Sequence, residues 1–354
     1  MDSLNPLSEV LHVHGVTAIQ VIQQNLSSQE RNLILLSKIF DPRYAFTIFC
    51  PLLYSLNNTY GLVLIWSIAM TEWVNQILKL FLMSDRPYWW IKETDVFNRT
   101  GIQVPVIKQF PLTCETGPGS PSGHAMATAS VWFIVLYSFF LWFKEKRFPG
   151  RRILQIIAWS AYVAALYGVS VSRLYIAAHF PHQCLLGIGL GVMIAKGVKE
   201  LPVDRFRLGT YIAVTIVMFG SVAAIYAGMP FLGVDPSRTV NKAVKYCINK
   251  NWVHLDTTPL YSIMRYVGYF LGTGIALSIR KQVKSSGLNR LLILVLSFFA
   301  CKFSESVRIP SDNLRLFYAA SFGLNVLIPV AFIAVIPMLV TAVFPPDQGH
   351  RKKK

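Results

Sequence analysis

Hydrophobic residues along this chain gather into long runs. Apolar stretches near 20 residues predict membrane-crossing helices. Nine are legible, at roughly 34–56, 60–83, 122–143, 153–171, 175–195, 209–232, 259–279, 288–304 and 316–344. The first is interrupted by Lys38, Asp41 and Arg43, and the eighth is short. Residues 1–30 hold no Lys or Arg and no compact apolar core. No cleavable signal peptide is therefore expected, and the first span would act as its own insertion signal. The pattern predicts an all-α polytopic membrane protein, one integral domain over 1–354, with no internal repeat, low-complexity tract or dividing linker.

Composition agrees. Of 354 residues, 53% are hydrophobic and 14% charged, against about 25% charged in soluble domains. Disordered, collagen-like, coiled-coil and disulfide-dense classes are excluded. Lys and Arg number 34 against 17 Asp and Glu, a formal charge of +17. Segments 144–152, 196–207, 280–290 and 351–354 together hold 17 of those 34 cations. With nine spans, all four fall on one side, opposite the N-terminus, and the excess of positive charge makes that side cytosolic. The segments near 84–121 and 233–258 are then luminal. The sequons at Asn98-Arg99-Thr100 and Asn25-Leu26-Ser27 share that side, so Asn98 is a glycosylation candidate. Asn57-Asn58-Thr59 falls on the cytosolic side and is expected to stay unmodified.

Three patches carry chemistry. In the first, Glu72, Asn75 and Lys79 share a helical face that leads to Arg86-Pro87. Ionisable groups inside a span mark a functional interior, although Lys79 and Arg86 could instead snorkel to the interface with Glu72 as an internal partner. In the second, Gly117, Gly119, Ser120, Ser122 and Gly123 form a small-residue loop running into His124 and a helix. Backbone N–H groups there would converge on an anion at a helix N-terminus, or Ser122 would simply cap the helix. The third patch, Ser172-Arg173 to His179 and His182-Gln183, joins two spans through a short connection. His182 reads as an interfacial side chain. The predicted topology places Arg86, His124, Arg173 and His179 at one leaflet. Arg suits phosphate through bidentate hydrogen bonds, and two His allow a nucleophile and a general acid/base. The set lacks the acidic cluster of a di-metal phosphatase, so no metal or cofactor is expected, and nothing suggests nucleic acid as a partner.

Lys79-x6-Arg86-Pro87, Pro121-Ser122-Gly123-His124 and Ser172-Arg173-x5-His179 resemble the three-part signature of the type 2 phosphatidic acid phosphatase (PAP2) superfamily, shared with vanadium haloperoxidases. RPYWW, QFPLTCETGPGSPSGHAM, SRLYIAAHFPHQ and WVHLDTTP are similar to the glucose-6-phosphatase catalytic-subunit family over essentially the whole chain. The resemblance implies a PAP2-type helical phosphatase core, with its motifs within 72–183 and extra spans at about 209–344. It implies hydrolysis of glucose 6-phosphate at a luminal site of the endoplasmic reticulum. His179 would form a phosphohistidine. His124 would protonate the departing sugar oxygen and then activate water. Lys79, Arg86, Arg173 and the Ser122–Gly123 amides would bind phosphate.

One departure stands out. The wider superfamily has an Asp four residues after the nucleophile, where this chain has Gln183. Asp41 is a candidate orienter of His179, with a local pair to Arg43 as its plain alternative. Cys114 and Cys247 both fall on the oxidising side, where a disulfide is permitted, but two free thiols is the preferred reading. The tail Arg351–Lys354 resembles a dilysine retrieval signal. Gly187, Gly189, Gly191 and the Gly268/Gly272 pair read as close helix packing. Expected partners are a small sugar phosphate, membrane lipid and a separate glucose-6-phosphate transporter. The alternatives are a lipid-phosphate phosphatase of the same superfamily, a sugar-phosphate transporter, and a catalytically silent homologue.

Overall fold

The computed structural model describes residues 6–145, 149–280, 286–307, 309 and 313–345. The basic residues at 146–147, 281 and 284 and the tail at 351–354 lie outside the described residues. Among the described residues there is no β-strand, only one isolated bridge between Glu115 and His254. The helices are α1 Pro6–Asn25, α2 Glu30–Ile39, α3 Cys50–Leu56, α4 Asn58–Leu82, α5 Pro87–Glu93, α6 Val96–Thr100, α7 Gly123–Glu145 and α8 Arg151–Tyr175. There follow α9 Pro181–Val198, α10 Leu208–Gly228, α11 Arg238–Tyr246, α12 Pro259–Ile279, α13 Gly287–Ser306, α14 Leu314–Val330 and α15 Ile336–Val343.

Local chemistry sets many of these boundaries. Proline opens α5 and α9, where its missing N–H costs nothing. The Asn313 side chain accepts the first amides of α14. Gly101, in the left-handed region at φ 64°, ends α6.

Among the described residues, six helical stretches are long and apolar enough to cross a membrane: 58–93, 123–144, 151–175, 208–232, 287–306 and 315–343. The other three predicted spans differ. The first is not continuous, because α2 stops at Ile39 before Asp41-Pro42-Arg43, and the chain resumes as a π-helical turn at Ala45–Phe49 and then α3. Proline lacks an N–H, and its ring disfavours helix for the residue before it, so a run can be apolar on average and still break. The fifth and seventh exist as α9 and α12, with His182, Gln183 and Lys196 in one and Arg265 in the other. The sequence also hides an element: α1, low in charge and without an apolar block, is a full 20-residue helix.

Burial is arranged as a lipid-facing protein requires. On α8, Ile156 is 69% exposed and Tyr167 73%, whereas Arg86 is 0% and Arg173 1% exposed.

The chain groups into two compact units, each drawn from three separate stretches. The first comprises residues 1–42, 70–199 and 220–263. In it α7 packs along α8 and α9, α2 and α1 lie on α8, and α11 meets α5. The second comprises 43–69, 200–219 and 264–354, where α13 packs on α3 and α15. There Trp66 donates to Tyr211 Oη at 3.0 Å, and Arg280 donates to Tyr54 Oη at 2.5 Å.

Glycines permit the closest helix contacts. A Cβ on Gly191 would overlap Met126 O of α7, and one on Gly187 would lie 2.7 Å from Ser122 O. Gly268 and Gly272 face Phe322 and Val326 of α14 in the same way. Gly189, by contrast, faces open space, so it takes no part in this packing. Gly191→Leu should therefore lower the stability of the detergent-solubilised protein by about 1–3 kcal/mol. Gly189→Leu should leave its thermal midpoint unchanged or slightly raised. Equal midpoints for the two variants would refute the packing.

Candidate active site

All the residues that form the site belong to the first unit. Helix α4 ends its buried polar face on Lys79, which is 6% exposed. Asn75, one turn earlier, donates to Pro121 O at 3.2 Å. Ideal Cβ atoms on Gly117 and Gly123 would come within 3.8 and 4.0 Å of Lys79 Nζ. The ammonium thus faces the glycine loop and the N-terminus of α7, so it does not snorkel. Neither does Arg86. Its Nε donates to Gly117 O at 2.7 Å, Nη2 to Pro118 O at 3.2 Å and Nη1 to Ala178 O at 3.0 Å.

Arg173, in the last turn of α8, donates from Nη1 to Ser37 Oγ at 2.9 Å. From Nη2 it pairs with Glu115 Oε1. Arg86 Nη1 lies 2.8 Å from Glu115 Oε2. One carboxylate thus bridges both guanidinium groups. Burial pushes the Glu115 carboxyl up, but Arg173 and Arg86 outweigh it and hold the group well below the usual carboxylate range.

His179 stands in the connection between α8 and α9, fully buried. Its Nδ1 lies 2.8 Å from Gly119 O and 3.3 Å from Gln183 Oε1. Which end of the Gln183 amide is oxygen follows from its other partners. Oε1 accepts from Phe180 N at 3.1 Å, while Nε2 donates to Ser84 Oγ at 3.0 Å and Asp85 O at 2.8 Å. Two acceptors at Nδ1 place the proton there, leaving the Nε2 lone pair for chemistry. That Nε2 is 3.3 Å from Arg86 Nη1. Gly119 O and Gln183 Oε1 both lie within reach of His179 Nδ1, the position for which Asp41 is the candidate from sequence; Asp41 itself stands in the break after α2. Gly119 must be glycine, since a Cβ would come within 2.5 Å of the backbone oxygen of Asp85.

His124 lies half-buried in the first turn of α7. Ser122 is also fully buried, but its N–H donates to Gln183 O at 3.0 Å. The Ser122 amide thus ties the loop to α9 and is not free for an anion. The first-turn amides that begin with Gly123 have no earlier carbonyl within the helix to bond.

The loop is held from the far side by residues 247–258. His254 N donates to Cys114 O at 3.1 Å, Thr116 N to Thr257 Oγ1 at 2.9 Å, and Thr116 Oγ1 to His254 O at 2.8 Å. Cys114 and Cys247 are joined as a disulfide, Cα to Cα 5.8 Å, where free thiols were preferred from sequence. Lys242 of α11 pairs with Asp85 at 2.7 Å and Glu93 at 2.6 Å, bracing the turn before Arg86.

Helix α1 covers His179's neighbour. His12 stacks on Phe180 with ring centroids 4.3 Å apart, and His182 lies 5.4 Å from His12. Burial, helped by His182, lowers the His12 pKa to about 4, so the ring packs as a neutral aromatic. Asn98 is exposed on α6.

Comparison with known proteins gives the family. Residues 60–207 match the PAP2 superfamily. Glucose-6-phosphatase catalytic subunit 1 of Mus musculus is 36% identical over 97% of this chain and 98% of its own length. Glucose-6-phosphatase 2 of Homo sapiens is 34% identical over 94% and 96%, and that of Mus musculus 33% over 98% and 100%. The chain belongs to the glucose-6-phosphatase family. No solved structure matches it.

The PAP2 match contains Lys79 through Gln183 but stops before Cys247, His254 and Thr257, which only the longer glucose-6-phosphatase relatives span. Several contributors are not marked in the sequence, Glu115 and Lys242 among them. Glu115 sits inside the recognised string, and a lone acid in a small-residue loop was its available signal. Lys242 had none, because its partners lie far away in the chain.

Two measurements follow. Gln183→Leu should lower kcat at least tenfold, about 1.4 kcal/mol of transition-state stabilisation, while Asp41→Asn stays within about twofold. Steady-state phosphate release reads both, and the reverse order would return the orienting role to Asp41. Non-reducing peptide mapping should recover Cys114 and Cys247 in one linked species; separate alkylated peptides would exclude the bond.

Proposed function

We propose that this chain hydrolyses glucose 6-phosphate to glucose and inorganic phosphate through a phosphohistidine on His179. The observation that carries the reading is the fixed tautomer: Nδ1–H points at Gly119 O, so Nε2 presents its lone pair beside Arg86. Relatives named glucose-6-phosphatase over nearly the full length supply the substrate.

In the first step the phosphate lies between Arg86, Arg173 and Lys79, with first-turn amides of α7 adding donors at the positive end of the helix dipole. Nε2 of His179 forms a bond to phosphorus as the bond to the sugar oxygen breaks, and His124 gives that oxygen its proton. In the second, water attacks phosphorus, His124 takes the water's proton, and the phosphorus–nitrogen bond breaks. Positioning and charge neutralisation supply most of the catalysis.

The same reading places the chain in the endoplasmic reticulum membrane with nine crossings, a luminal N-terminus and a cytosolic C-terminus. α9 and α12 would cross as shorter or more polar helices, and α2 to α3 as a broken one. An oxidising lumen suits the Cys114–Cys247 pair and an exposed sequon at Asn98. A luminal site implies a separate glucose-6-phosphate transporter to deliver the substrate.

Purified wild-type chain should release phosphate from glucose 6-phosphate, and His179→Ala should abolish release. His124→Ala should accumulate an acid-labile phosphoprotein that His179→Ala never forms. Equal release from wild type and His179→Ala would end the mechanism. Release from phosphatidic acid but not from the sugar phosphate would replace the sugar with a lipid.

A further inference from the structure

We propose that Glu115 is a resident anion, which the substrate's phosphate must displace from Arg86 and Arg173 before His179 can attack. The inference rests on the phosphate-binding role proposed for the two arginines and adds the condition under which they become available.

Donor accounting leads to it. A guanidinium has five N–H bonds. On Arg86, one each goes to Gly117 O, Pro118 O and Ala178 O. The second N–H of Nη1 faces Glu115 Oε2 at 2.8 Å and His179 Nε2 at 3.3 Å. Only one N–H, on Nη2, is left over. On Arg173, one N–H of Nη1 goes to Ser37 and one of Nη2 to Glu115, while the buried Nε–H has no partner among the described residues. Both guanidinium groups are therefore paired with one carboxylate that stands beside the nucleophile.

Location sharpens the point. Glu115 Oε2 lies 3.8 Å from His179 Nε2. A reacting phosphorus must approach a nucleophile to about 3–3.5 Å. Carboxylate and phosphoryl group therefore compete for one space as well as for one set of donors. The three carbonyls on Arg86 belong to the backbone of the loop and the turn, and moving them would unmake the site. Glu115 is held at the site through its side chain and can turn aside by rotating about its own bonds, exchanging one anion for another without stranding a buried guanidinium. A carboxylate that stayed would instead be a permanent brace, and phosphate would find one free N–H on Arg86.

The two roles predict opposite effects of removing the charge while keeping the shape. With displacement, Glu115→Gln binds inorganic phosphate more tightly, its inhibition constant against glucose 6-phosphate falling about tenfold. An unchanged or higher constant overturns the proposal. An experimental structure of the full wild-type chain with inorganic phosphate decides independently, and decides alone if the variant fails to fold. Phosphate on Arg86 Nη1 with Glu115 turned away from both guanidiniums is the expected result. Phosphate beside both arginines with the ion pairs intact overturns displacement and leaves the site assignment standing; phosphate bound elsewhere overturns both.

Discussion

A fully buried guanidinium needs acceptors around it, and Arg86 is the group around which this site is assembled. Leaving it partly unpaired in a low-dielectric interior would cost more than any single contact contributes. Its partners come from chain segments far apart: Gly117 and Pro118 in the glycine loop, Ala178 in the turn between α8 and α9, and Glu115 before the loop. Meeting those demands brings the loop against the turn. Once Ala178 O is fixed on Arg86, the next residue, His179, lies within 3.3 Å of the same nitrogen. The position of the nucleophile is thus a consequence of solvating a buried cation.

Loop and turn also constrain each other without the arginine. Gly119 N donates to Ser84 O at 2.7 Å, and Ser122 N donates to Gln183 O at 3.0 Å. Gln183 in turn uses both ends of its amide, accepting from Phe180 N and donating to Ser84 and Asp85. An Asp at this position would supply only acceptors. It could not donate to Asp85 O, so the glutamine is suited to the frame as well as to the imidazole. The outer support comes from residues 247–258, which bond to Cys114 and Thr116 on either side of Glu115. The carboxylate between the two arginines is accordingly anchored by a segment beyond the PAP2 match.

Much of this was legible in the sequence, for a definite reason. Lys79, Arg86, Arg173 and His179 stand out because ionisable groups interrupt or border apolar runs, where burial without purpose is expensive. The loop was legible because only glycine tolerates the approaches found at Gly117 and Gly119. What stayed hidden depends on the path of the chain rather than on residue type. Glu115 carries no mark of its two partners, and Lys242 meets Asp85 across 157 positions. The break at Pro42 divides a run that hydropathy averages into one span. The two interleaved units leave no linker for composition to detect. Gly189, identical in type to Gly187 and Gly191, differs only in which way it faces.

Charge on the scale of the whole chain also looks different from the site outward. Half of the 34 Lys and Arg lie in four basic segments whose placement concerns orientation. At the site there are three cations, Lys79, Arg86 and Arg173, with one carboxylate between the two arginines, so little of the formal charge of +17 belongs to the site. A site of bare cations would attract any anion and would be costly to bury. With Glu115 bridging two of them, both arginines have a counter-charge before any ligand arrives. A phosphate monoester brings two charges and several acceptor oxygens to donors that one carboxylate holds with one charge, which is the physical basis for exchange favouring phosphate. Selectivity for phosphate over a carboxylate ligand would then be set by competition inside the protein, and not by the number of its basic residues.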